Sequence, residues 1–178
     1  MVNCPNCSSK PLKPTLLDDR LPAYGCASCS GALLSLIAFR AWGETQGIGT
    51  VPVHQSELSI TTDDTRKAIT CPKCSAIMTK YDVSATVSNH LDYCASCEEV
   101  WLDNGEWKLL ADLNMQKHLG TIFTQPWQRR VAKDTATNAR EARLKKKFGE
   151  EYEKFDELRV WLATHPHRSE VLALLQEF

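Results

Sequence analysis

Hydrophobic and polar positions alternate most clearly over residues 81–93. Tyr81, Val83, Ala85, Val87, Leu91 and Tyr93 all fall on odd positions, with polar Asn89 interrupting. Period-two spacing places such side chains on one face of extended strands, so a β-hairpin is expected there. A second hairpin is expected upstream, where Leu16-Leu17 and Leu21 to Tyr24 flank Asp18-Asp19-Arg20, a turn-forming triplet. Each hairpin is followed by an apolar stretch that reads as a helix, Ala32 to Trp42 in the first case and Trp101 to Leu113 in the second. The second stretch contains Asp103 and, three residues on, Glu106, the spacing of a reciprocal helix cap with Asp103 as N-cap. In the first stretch Ser35 to Ala38 stand where that device would be.

Residues 43–66 are rich in Gly, Thr, Ser and Asp and read as a linker, with a short extended piece over Thr50 to Val53. From Pro126 the pattern changes. Residues 127–148 mix alanines with cationic side chains, which predicts a long, weakly apolar helix with a break at Gly149. Tyr152, Phe155, Leu158 and Leu162 then follow helical spacing, as do Val171, Leu172, Leu174 and Leu175. Pro166, within Thr164-His-Pro166, suits the first turn of the last helix, and His165 and His167 belong to that boundary.

Charge adds one thing to this picture. The 178-residue chain has a formal net charge of −1, unevenly spread. Residues 127–149 carry 8 basic and 2 acidic side chains, whereas residues 150–178 carry 3 and 7. The longest apolar run, Ala32 to Phe39, is interrupted by Ser35 and far too short to span a bilayer. No charged-then-apolar leader opens the sequence, so a reducing cytoplasm is the expected compartment and no membrane partner is expected.

Cysteine supplies the candidate chemistry. All eight cysteines occur in four C-x-x-C pairs, Cys4/Cys7, Cys26/Cys29, Cys71/Cys74 and Cys94/Cys97. Eighteen residues separate the first two pairs and nineteen the last two. The pairs repeat in kind as well, a C-P-x-C knuckle answered by C-A-S-C, which points to duplication of one unit. Each knuckle offers two thiolates from one tight turn, and two knuckles joined by a hairpin make a zinc ribbon with a four-thiolate site. Two Zn2+ ions, one per site, are therefore expected. A closed site leaves no open position for water, so the ions would be structural. Tetrathiolate iron of the rubredoxin kind and thiol–disulfide chemistry are the alternatives. His90 is a spare candidate ligand near Cys94, though a strand histidine facing solvent needs no special cause.

The fold class expected is a small, metal-bound α+β protein. It comprises a first ribbon over residues 1–42, the linker 43–66, a second ribbon over 67–115 and an α-helical C-terminal region over 116–178. Arg129, Arg130, Lys133, Arg140, Arg143, Lys145, Lys146 and Lys147 are candidate phosphate contacts for a nucleic acid, set against a solvated helical face packed on an acidic partner such as this chain's own Glu150 to Glu157 cluster. Phe148, Phe155 and Trp161 suggest homo-oligomerisation through these helices, set against service as core.

The second copy reads C-P-K-C, then C-A-S-C-E-E-V-W-L-D-N-G-E-W, and resembles the bacterial transcription factor IIB-type zinc-ribbon family from Cys71 to about Leu110. By position, the resemblance implies zinc ligation by Cys71, Cys74, Cys94 and Cys97 and matches Asp103 and Glu106 to the family's W-L-D-x-G-E tail. That family usually has Gly-Gly where this chain has Glu98-Glu99. The first copy shares only its knuckles, Cys4, Cys7, Cys26 and Cys29, and Gly31. The expected function is a non-catalytic zinc-binding interaction protein with a protein or nucleic-acid partner, its transcription role implied only by the resemblance. The alternative is a redox protein or redox-regulated chaperone using its C-x-x-C pairs.

Overall fold

The computed structural model describes residues 2–8, 10–18, 20–45 and 62–176. Two compact units form, Met1–Asp134 and Thr135–Phe178.

Among its described residues the first unit is built on one antiparallel sheet of six strands: β1 (Lys13–Leu17), β2 (Leu21–Gly25), β3 (Ala32–Ser35), β4 (Thr79–Asp82), β5 (His90–Cys94) and β6 (Glu99–Leu102). Their spatial order is β1-β2-β3-β6-β5-β4, so the two hairpins meet at the centre through β3 and β6. The ladder there pairs Ala32 with Leu102, Leu33 with Trp101 and Leu34 with Val100. The second copy is offset from the first by 68 positions at this point, as 94 − 26 shows for the knuckle cysteines. Leu33 and Trp101 are thus equivalent residues, and the flanking pairs exchange under the same shift. The duplication is expressed as an internal pseudo-two-fold through the Leu33–Trp101 pair, the arrangement of an isologous dimer within one chain.

Both apolar stretches therefore open as strands, not as helices. β3 is followed by α1 (Leu36–Thr45) and β6, after a turn, by α2 (Glu106–Asp112). Three apolar residues in a row, buried on both faces, carry no period that separates strand from helix. The two faces bury different things. Leu34, Val100 and Leu102 point to a core shared with Leu36 and Phe39 of α1, Leu109 and Leu110 of α2, and Val83 and Leu91 of the second hairpin. Leu33 and Trp101 point the other way, into a cluster with Leu12, Ile69, Met78 and the buried cysteines Cys4, Cys26, Cys71 and Cys94. Knuckles thus cover one side of the central strands and helices the other. Tyr81 on β4 and Tyr93 on β5 pack at the margin of the helical core, as their period-two spacing predicts, and Val87 packs there from the connection between the two strands.

The sheet's edges are protected in different ways. On β4, the Gln128 side chain accepts from the Asp82 N–H at 3.1 Å and donates to the Asp82 carbonyl at 2.9 Å, standing in for a further strand. Edge strand β1 carries Pro14, which has no N–H to offer an incoming strand. After α2 come a 3-10 turn (Gln116–His118), α3 (Leu119–Ile122) and α4 (Gln125–Phe148). Leu119, Ile122 and Met115 join the helical core.

The second unit contains the end of α4, α5 (Tyr152–Thr164) and α6 (Arg168–Gln176). Gly149, at φ 54°, breaks the helix where expected. Pro166 precedes α6 by two residues instead of lying in its first turn. The linker's extended piece at Thr50 to Val53 lies outside the described residues. Among the described residues, no helix is long and apolar enough to cross a membrane.

Candidate metal centres

Four knuckles of one design hold the cysteines. In three of them the backbone N–H of the residue after the second cysteine donates to the carbonyl of the first: Ser8 to Cys4, Ser30 to Cys26 and Ser75 to Cys71, at 2.8–2.9 Å. The turn requires that residue to be left-handed, and all four comply: Ser8 (φ 54°), Ser30 (58°), Ser75 (62°) and Glu98 (52°). Glu98 replaces a glycine of the family pattern, yet the turn is kept. Its carboxylate accepts from Arg40 at 2.8 Å, an exposed pair that does little to offset the strain.

The fold brings Cys4, Cys7, Cys26 and Cys29 together, and separately Cys71, Cys74, Cys94 and Cys97, with the sulfurs of each set within 4.8 Å of one another. Sγ–Sγ distances are 3.6 Å for Cys4–Cys29, 3.9 Å for Cys26–Cys7 and 3.6 Å for Cys74–Cys94. A tetrahedron of Zn–S bonds of about 2.3 Å has edges of about 3.8 Å, so the donor sets fit a tetrathiolate ion.

The electrostatics point the same way. Burial works to raise Cys26, but the backbone N–H groups of Cys29 and Ser28 and the neighbouring thiols bring it down to about 7. The Ala76 N–H and the thiols of Cys97 and Cys94 bring Cys74 to about 7. Burial, and then the thiols around it, push Cys29 far up, and contact with Cys74 leads in pushing Cys97 up to about 12. Four sulfurs this close resist ionising together unless a cation sits among them, and a bound dication removes that resistance. These residues would hold the ion, and it would supply cross-linking of two knuckles.

A third constellation, which the sequence reading missed, lies between the copies. Asp103 is buried, and its carboxylate accepts from Trp101 Nε1 (2.8 Å), Asn6 Nδ2 (2.7 Å) and the Thr65 N–H (2.6 Å). It thereby ties the second copy to the first knuckle and to the segment leading into the second ribbon. Asp103 is not the N-cap of α2; Gly105 holds that position at φ 85°. Only the return half of the expected cap forms, with Glu106 accepting from the Asp103 N–H at 2.8 Å. A side chain on Gly105 would be strained and would crowd Thr62. Gly31 serves the same junction, since a Cβ there would lie 2.4 Å from the Trp101 ring. This is the physical reason for that glycine in a copy that lacks the W-L-D-x-G-E tail.

Glu106 is almost wholly buried, and Asp64, Asp103 and Glu106 have oxygens within 4.8 Å of one another. Burial, then the Asp103 charge, raises Glu106 to about 9, while hydrogen bonds from the Asp103 N–H and Asn89 work against the rise. His90 is not among the sulfur sets; its ring lies 3.2 Å from both Asp64 and Asp82. His165 ends α5 and its Nδ1 accepts from the His167 N–H at 3.2 Å.

The eight basic candidates all lie on α4 but are divided between the units, Arg129, Arg130 and Lys133 in the first and Arg140, Arg143, Lys145, Lys146 and Lys147 in the second. Of the latter, Arg140, Arg143 and Lys147 share one helical face by their i, i+3, i+7 spacing. Arg130 lies over the Trp127 ring and Lys145 over Tyr152.

Residues 70–112 match the transcription factor zinc-finger family, a zinc-ribbon family. The match covers the second four-cysteine set, Asp103 and Glu106. No curated protein and no solved structure matches the chain. Family match and geometry together support structural metal binding by a tandem-ribbon α+β fold.

Proposed function

We propose that this is a non-catalytic zinc protein whose two ions lock a duplicated ribbon into one platform, and that the platform binds a protein partner. The observation that carries the reading is the four-sulfur enclosure: each set already has the full complement of donors for zinc, with no position left for substrate. Zinc is favoured by the borderline-soft, all-thiolate donor sets in a zinc-ribbon frame.

The platform's accessible face belongs to the divergent first copy. Pro14, Leu16, Pro22, Tyr24, Leu33 and Ala38 line a largely apolar groove of about 460 Å³, rimmed by the Lys73–Glu99 ion pair at 2.6 Å. Leu16 is 60% exposed and Tyr24 44%. A groove of this kind takes an apolar segment of a protein in preference to a phosphate backbone, because Lys73, the cation lining it among the described residues, is already paired with Glu99.

Affinity capture from the native host, after nuclease treatment, tests the reading. The full chain is compared with Leu16→Glu/Tyr24→Glu, with metal content measured on both. A partner retained by the first and lost by the second, at unchanged metal content, supports the groove. Equal retention by both refutes it, as does retention that nuclease abolishes. Salt-sensitive retention on DNA that Lys145→Glu/Lys146→Glu/Lys147→Glu removes would place the function in α4 instead.

A further inference from the structure

The second unit has no interior. Among the described residues from Thr135 to Gln176 none is buried, and Phe155, Leu158, Val160, Trp161, Leu172, Leu174 and Leu175 are between 41% and 61% exposed. Phe155, Leu158 and Leu162 follow i, i+3, i+7 spacing along α5, with Trp161 beside them. Together the seven exposed side chains offer apolar area on the order of 700 Å² per copy, close to the roughly 800 Å² each partner brings to a standard interface.

Charge indicates what covers this surface. Between Arg140 and Lys147 the unit carries five basic side chains and one acidic; between Glu150 and Glu157 it carries five acidic and one basic. Within the copy these blocks scarcely neutralise each other. The only ion pair between the two helices among the described residues is Arg159–Glu141, at 3.9 Å. Arg140, Arg143, Lys146, Glu150, Glu151, Glu153 and Glu157 make none. A surface with a basic half and an acidic half beside an apolar one is complementary to itself under a two-fold rotation.

We infer that the second unit is a self-association element. Two copies of the chain pair through the apolar faces of α5 and α6, the basic end of α4 in one copy lying against the acidic turn and α5 of the other. A dimer would then present two ribbon platforms, so one partner carrying two binding segments would be held by avidity.

The test uses the full, metal-loaded chain. Sedimentation equilibrium over about 1–100 µM is expected to show a species of twice the 20.0 kDa chain mass. Trp161→Glu/Leu172→Glu, at exposed positions, is expected to leave metal content unchanged and weaken dimerisation at least about tenfold. Two charge variants make the test specific. Lys145→Glu/Lys146→Glu/Lys147→Glu and Glu150→Lys/Glu153→Lys/Glu157→Lys should each dimerise poorly alone, and their mixture should give a heterodimer. A monomer throughout this range overturns the inference. So does a dimer indifferent to the apolar pair, or one in which the mixed charge variants associate no better than either alone.

Discussion

Asp103→Ala examines the junction between the copies, because that carboxylate is where first knuckle, linker end and second ribbon meet. The substitution removes the acceptor for three donors at 2.6–2.8 Å and leaves the buried Trp101 Nε1–H without a partner. Hydrogen bonds to a charged group contribute about 1.5–3 kcal/mol each where water is excluded. Trp101 Nε1 is fully enclosed, while the Asn6 and Thr65 contacts are only part-buried and merit the lower figure. The expected loss is about 3–5 kcal/mol, a large share of an ordinary domain stability of about 5–15 kcal/mol. Urea unfolding at fixed free zinc, followed by tryptophan fluorescence, measures it, with metal stoichiometry recorded to show that both sites stay loaded. Asn6→Ala, which removes the first copy's donor to the same carboxylate, and the double variant complete a cycle whose coupling term should be about 1–2 kcal/mol. A loss below about 1 kcal/mol for Asp103→Ala, or a coupling of zero, would refute the claim that this carboxylate joins the copies.

Three further expectations follow from the same geometry. Glu98→Gly should stabilise the protein by about 0.5–1 kcal/mol, because φ 52° is unfavourable for a side-chain-bearing residue and the lost Arg40 pair is exposed; a fall in thermal midpoint would count against strain at that knuckle. Glu106 has a folded pKa of about 9 against 4.5 unfolded, so its contribution is fully present below about 4.5 and is lost as pH rises through about 9. At fixed free zinc, stability between pH 6.5 and 8.5 should therefore decline by up to about 1.4 kcal/mol per pH unit, and Glu106→Gln should flatten that slope; an unchanged slope excludes Glu106 as its source. Chelation of zinc should melt the sheet while α5 and α6 keep their helicity, since structural sites supply about 10–16 kcal/mol of folding free energy; a sheet that survives chelation in a nuclear magnetic resonance spectrum would show the ions to be dispensable.

The parts legible in the sequence were those written in local spacing. Knuckle pairs, hairpins, the break at Gly149 and the long basic helix each depend on residues a few positions apart. The opening strands of the two apolar stretches were not legible. Ala32 to Leu34 and Val100 to Leu102 are buried from both sides, so their run of apolar residues has no period to read. Asp103 was misread for a different reason. The D-x-x-E spacing satisfied a cap pattern whose return half does form, while the carboxylate itself is spent on donors 38 and 97 residues away. Nothing local announces such partners. Gly31 was the available signal, a small residue kept in a copy that had lost its tail, because the tryptophan it accommodates belongs to the other copy. Pairing of β3 with β6 likewise rests on a contact between equivalent positions, which a repeat suggests only once one asks how its two copies would dimerise.

Zinc X-ray absorption on the purified full chain, with metal stoichiometry from the same sample, tests the central claim most directly. The account predicts two zinc ions per chain, each with four sulfur neighbours at about 2.3 Å and no oxygen or nitrogen in the shell. One ion per chain, a mixed sulfur and nitrogen or oxygen shell, or iron in place of zinc would contradict it.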